Sequence, residues 1–169
     1  MRFLGFHADH FTLPFVLKSC AKLFRVGLFD FAGDLFRMMS NRNIVSGTAM
    51  VSGYTQSGLA EKALGLFDMM TNERSVVKPN WVTIVCVLPA CAHSAALERG
   101  KKIYIYASAN GLDSNSNVQS ALIAMYTKYG SLIDSEYYFG RMHSSEKHLD
   151  AWNTMVTAYT FRGKEIEAV

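Results

Sequence analysis

The sequence predicts an all-α protein, a right-handed α-solenoid of stacked helix-turn-helix repeats. Three observations predict it. GLFDFAGDLFRMM at residues 27–39 returns as GLAEKALGLFDMM at residues 58–70, with seven of thirteen positions identical at an offset of 31 residues. TAMVSGYTQSG at 48–58 returns as SALIAMYTKYG at 120–130 and NTMVTAYTFRG at 153–163, so that Tyr54, Tyr126 and Tyr159 share a register, as do Thr55, Thr127 and Thr160. A different template, FTLPFVLKSCA at 11–21, returns as VTIVCVLPACA at 82–92. Internal periods of roughly 20 to 50 residues mark stacked units, because a helical hairpin cannot bury its apolar face alone and must pack on its neighbours.

Each element follows from local pattern. Between Ile44 and Asn80, the residues Ala49, Met50, Gly53 and Tyr54 have helical spacing, and Gly58 interrupts them. A second helix resumes at once, with Leu59, Ala63, Leu66, Phe67 and Met70 at steps of three and four along one face. The helix expected over the second template contains Pro89, which removes a backbone hydrogen bond and is expected to bend it. Further on, Gly130 repeats the interruption, and Ser131 with Asp134 supplies an S-x-x-D pattern that predicts a capping box for the next helix. The register carries the same turn to Gly163 and places Val169 inside a following second helix. It also places Met1 at the end of a second helix, so the sequence is expected to be part of a longer array.

Composition limits the function classes. The 169 residues are 50% hydrophobic and 18% charged, which describes a folded chain and not a disordered one. A net charge of +3 is compatible with an anionic partner without demanding one. The three cysteines, Cys20, Cys86 and Cys91, form no disulfide framework, and reduced thiols are expected. No apolar run reaches the roughly 18 residues of a membrane span, so no membrane partner is expected. MRFLGFHAD is too short and too poor in Ser and Arg for a transit or signal peptide.

NIVSGTAMVSGYTQSGLAEKALGLFDMM, the VKPN that closes its unit, and ALIAMYTKYGSLIDSEYYFGRM together resemble pentatricopeptide repeats, specifically the plant PLS-type subgroup that alternates standard, long and short units. The W-x-x-L-G-x-x-Y pattern of tetratricopeptide repeats is not seen. The resemblance divides the chain into the end of a preceding repeat at 1–9, a hybrid repeat at 10–43, a second at 44–80, a long-type third at 81–115, a short-type fourth at 116–148 and a truncated fifth at 149–169. Three extra residues between the two helices of the hybrid suggest an internal deletion. Gly47 stands where the family usually has Trp or Tyr, and Tyr129 where Cys is common, so weakened packing is expected at both.

The resemblance implies sequence-specific binding of single-stranded RNA, each unit facing one base that two or three side chains read. The implied readers are a polar residue early in the first helix and the last residue of the unit. These are Thr48 with Asn80, Ser120 with His148, and Asn153, whose partner lies beyond the sequence. Thr48 with Asn80 is implied to favour adenine, and Val45 to pack against that base. Val85 with Asn115 lacks a polar first reader, which implies spacing more than recognition. Lys22 and Lys128 are either phosphate contacts or solvated surface lysines.

No enzyme is expected. Cys86 and Cys91 lack zinc-finger spacing and read as core residues. His7, His10, His93, His143 and His148 have no paired ligands or adjacent nucleophile, and the H-x-E and P-C-x-x-C deaminase signature is absent from the sequence. No metal or other cofactor is implied. The resemblance implies a mitochondrion or chloroplast as location, and other organellar RNA editing or processing proteins as partners. The alternative is a helical scaffold that holds a protein segment in its groove, for which apolar anchors would be expected at the reader positions.

Overall fold

The computed structural model of the chain describes residues 33, 34, 36, 42–73, 75–93, 96–143, 147 and 149–167. Among them every regular element is an α-helix: α1 (Ile44–Gln56), α2 (Ala60–Thr71), α3 (Trp81–His93), α4 (Leu97–Ala109), α5 (Ser116–Lys128), α6 (Leu132–Arg141) and α7 (Leu149–Glu167). They form stacked helical hairpins of the α-solenoid class, arranged in two compact units, Met1–Pro79 and Asn80–Val169. The expectations for residues 1–32, including Cys20 and Lys22, lie outside the described residues.

In the first unit α1 packs on α2 and buries Met50, Val51 and Tyr54 against Ala63, Leu64, Phe67 and Met70. Gly47 is where a weak spot was expected. The structure corrects this: a side chain at position 47 would begin 3.0 Å from the Met70 methyl, so Met70 already occupies the space an aromatic residue would take. Methionine has the flexible, unbranched shape needed to fill such a gap.

In the second unit α5 is the central element, packed against α3 on one side, α7 on the other, and its hairpin partner α6. Ile84, Val87, Leu88, Leu122, Ile123 and Met125 are fully buried there. Tyr138 on α6 stacks on Tyr126 at 5.3 Å between ring centroids and meets Tyr104 of α4 edge-on at 5.2 Å. Burial pushes the Tyr138 phenol well above its usual range. Tyr129 also finds a place: its hydroxyl donates to the Cys91 carbonyl at 3.5 Å, tying the end of α5 to the end of α3. Cys91 is buried as expected, and Cys86 is half-buried. Pro89 lies within α3, which continues past it to His93.

The turns between helices show why particular glycines matter. Gly58 and Gly130 have φ of 72° and 73°, the left-handed region that side chains with a Cβ avoid. The following residue then closes the helix end, with Leu59 N–H donating to the Tyr54 carbonyl at 2.9 Å and Ser131 N–H to that of Tyr126 at 3.0 Å. Two expectations fail nearby. Ser131 does not cap α6 with its side chain; its backbone is outside the extended region usual for an N-cap, and its hydroxyl is turned to the Asp134 carboxylate, to which it donates. Gly163 makes no turn, and α7 runs through it to Glu167. Gly163 is exposed and a Cβ there would meet open space, so no contact at this position competes with the continuing backbone hydrogen-bond ladder.

Candidate nucleic-acid interface

The first helices of the repeats begin at Ile44, Trp81, Ser116 and Leu149, and the candidate readers occupy the same place on each. Thr48, Val85, Ser120 and Asn153 are each the fifth residue of their helix. Because α3, α5 and α7 are successive neighbours, the structure brings Val85, Ser120 and Asn153 onto adjacent helices within the second unit. Ser120 is half-buried and Asn153 exposed, its backbone carbonyl accepting from the Thr157 hydroxyl at 2.8 Å. Thr48 is half-buried on α1 in the first unit, and Val45 one turn before it is 57% exposed, an apolar side chain that makes little use of the core. Asn80 opens the second unit. His148 and Lys22 lie outside the described residues. Lys128, the last residue of α5, is exposed and sits at the negative end of the helix dipole, which suits a cation whether or not a phosphate is present.

Asn43, Asn80 and Asn115 have a second role that the sequence reading missed. Asn43 accepts through Oδ1 from Ser46 N–H at 2.9 Å, while Ser46 Oγ accepts from Asn43 N–H at 3.1 Å, a complete capping box. Asn80 repeats it with Thr83: Oδ1 accepts from Thr83 N–H at 3.1 Å, and Thr83 Oγ1 accepts from Asn80 N–H at 3.3 Å. Asn115 accepts from Asn117 N–H at 3.0 Å, and the reciprocal half is missing because Val118 stands where Ser46 and Thr83 stand. The signal was present as N-x-x-S at 43–46 and N-x-x-T at 80–83. Asparagine at these positions therefore starts α1, α3 and α5 regardless of any ligand.

Among the described residues no group of three or more His, Cys, Asp or Glu side chains could hold a metal ion, and no helix is long and apolar enough to cross a membrane.

Residues 48–75, from the candidate reader Thr48 through α2, match the PPR repeat family. The chain carries the pentatricopeptide repeat. Its similarity to PPR proteins extends well beyond that stretch. It is 41% identical to the chloroplastic pentatricopeptide repeat-containing protein CRR2 of Arabidopsis thaliana, over 100% of this chain and 31% of that protein. It is 36% identical to the chloroplastic pentatricopeptide repeat-containing protein At1g11290 of the same plant, over 98% of this chain and 20% of that protein. A third, At4g30700, is 39% identical over 82% of this chain and 17% of its own length. The PPR chain described here thus spans less than a third of the length of these relatives.

Proposed function

We propose that this PPR chain binds single-stranded RNA with base specificity, one base per repeat, as part of a plant organellar RNA processing or editing factor. The observation that carries the reading is the recurrence of small polar side chains at one helical position, Thr48, Ser120 and Asn153, with amide side chains at the unit ends Asn80 and Asn115. A hydroxyl or an amide pairs with base edges, whereas apolar anchors suit a peptide. In this reading Thr48 and Asn80 favour adenine, Val45 packs on the base, and Lys128 and Lys22 meet phosphates. Ser120 with His148, and Asn153, read neighbouring nucleotides.

The division into repeats at 10–43, 44–80, 81–115, 116–148 and 149–169 belongs to the same proposal, as does the PLS-type alternation of units. Helix starts at residues 44, 81, 116 and 149 support it. The alignment with CRR2 runs over 205 positions against 169 residues, leaving at least 36, about one repeat, which supports a deletion relative to that protein. Two of the relatives above are named chloroplastic, which supports an organellar location and leaves chloroplast and mitochondrion both open to test. The proposed role of these repeats is recognition without chemistry; any editing chemistry falls to another chain or to a part of the protein outside this sequence.

Binding of the chain, alone and embedded in a longer repeat array, to a panel of single-stranded RNAs at stated salt tests the reading. Asn80→Asp is expected to shift preference at one nucleotide from adenine toward guanine, by about 1–3 kcal/mol. Lys128→Ala is expected to weaken all sequences alike and to lower the salt slope by roughly one phosphate. An Asn80→Asp variant that binds every RNA with unchanged preference sinks the base-reading assignment.

A further inference from the structure

A cavity of about 270 Å3 lies in the first unit, between α1 and α2 and the helical residues Gly33 and Phe36. Its origin is visible in the register that relates α2 to α6. In α6 the ring of Tyr138 stacks on Tyr126, and Tyr137 meets Tyr138 edge-on at 5.1 Å. In α2 the same two positions hold Leu66 and Gly65, and both line the cavity. Two phenol rings are thus absent beside Tyr54, the counterpart of Tyr126. The space they leave is open, since a Cβ added at Gly65 would meet no atom within 4 Å. Tyr54 and Phe36, both buried, form aromatic walls.

The charges around this floor have one sign. Among the described residues that line the cavity, the charged ones are Arg42 and Lys62, both exposed. Lys62 stands where α6 carries Asp134, so the charge is reversed relative to the other copy. The Arg42 guanidinium lies over the Phe36 wall, 5.6 Å from the ring centroid. An aromatic floor under two cations suits an occupant with a flat apolar body and a negative group. Its body leaves water and meets rings, and its anion gains charge-assisted hydrogen bonds at the mouth. The volume lies just below the roughly 300–1,000 Å3 of pockets for drug-sized ligands, which suits about one or two rings. We infer that this cavity binds a small aromatic anion, a carboxylate or sulfonate, with its ring beside Tyr54 where the tyrosine rings are missing and its charge at Arg42 and Lys62. Neither Thr48 nor Asn80 lines the cavity, so the inference stands apart from base reading.

Anilinonaphthalene sulfonate, titrated into the full chain and followed by its fluorescence, tests the site, and its uncharged parent phenylnaphthylamine separates ring from charge. The sulfonate should bind saturably. Gly65→Tyr returns a ring to the open space and should weaken it roughly tenfold or more, with thermal unfolding no lower than wild type because a helical glycine is replaced. Leu66→Tyr fills the same space from the neighbouring position and stands in if Gly65→Tyr fails to fold. Arg42→Gln with Lys62→Gln should weaken the sulfonate roughly tenfold and leave phenylnaphthylamine unchanged. Val156→Glu, on the exposed apolar side of α7, should change neither probe. Absence of saturable binding, or binding that both filling variants leave intact in folded protein, overturns the site. Equal weakening of both probes by the paired glutamines overturns the choice of an anion. Mixed-sequence single-stranded RNA should not displace the sulfonate; displacement assigns the cavity to an RNA surface and overturns the small ligand.

Discussion

The hairpins α1–α2 and α5–α6 are written on one template 72 residues apart, yet they differ at a buried pair. In α5–α6 the Thr127 hydroxyl lies 3.2 Å from that of Ser135, which in turn donates to the Ser131 carbonyl at 2.9 Å. Thr127 therefore has a partner across the hairpin. In α1–α2 the matching threonine, Thr55, is buried with an unpaired hydroxyl, because Ala63 occupies the place of Ser135. A buried hydroxyl left without a partner is a local defect. The third copy of the template, on α7, shows more. Val156 and Tyr159 are 63% and 52% exposed, where Ile123 and Tyr126 of α5 are buried. α6 closes over α5, whereas among the described residues no helix follows α7 to cover it. Tyr159 instead donates its hydroxyl to Glu136 at 2.7 Å, and this bond to a carboxylate raises its phenol's pKa.

The comparison can be broken most directly at the tyrosines. Tyr126→Ala removes a ring stacked in the core and is expected to cost about 3–5 kcal/mol in urea unfolding, whereas Tyr159→Ala should cost less than about 1 kcal/mol. Similar losses at both sites contradict the description of α7 as uncovered. The next effect is the buried pair. Ser135→Ala orphans Thr127 and should cost about 1–3 kcal/mol, while Ala63→Ser gives Thr55 a partner and should raise stability by up to about 1 kcal/mol. Opposite signs from substitutions at one template position are the test, and a loss in both rejects the pairing account. The smallest effect is a reversal at the glycines. Gly130→Ala forces a Cβ into left-handed backbone at about 1–2 kcal/mol, and Gly163→Ala in the continuous helix α7 should stabilise by about 0.5–1 kcal/mol. A destabilised Gly163→Ala variant, measured by the same unfolding curves, means that position 163 does turn.

Much of the architecture was legible before any coordinates. Helical periodicity located the helices because an apolar face needed for burial leaves the same steps of three and four wherever it occurs, as in Leu59, Ala63, Leu66, Phe67 and Met70. Repetition then put Thr48, Ser120 and Asn153 in register, since side chains at matching helix positions point the same way. The asparagine caps were equally local and could have been found from N-x-x-S and N-x-x-T.

Other features lay outside any local pattern. Ser131 and Asp134 match a capping sequence, but the choice between capping N–H groups and pairing with each other depends on side-chain geometry in the folded turn. Gly47 looks like a missing aromatic until Met70, 23 residues on, is seen to fill the space. Gly163 has the sequence context of Gly58 and Gly130 and a different conformation. By itself the sequence determined the helices, their repeat and the residues held in common register, because these follow from backbone hydrogen bonding and a periodic apolar face. Only the tertiary structure decided which template positions are buried, which polar groups find partners and which glycine turns, because each depends on whether another helix is present to pack against it.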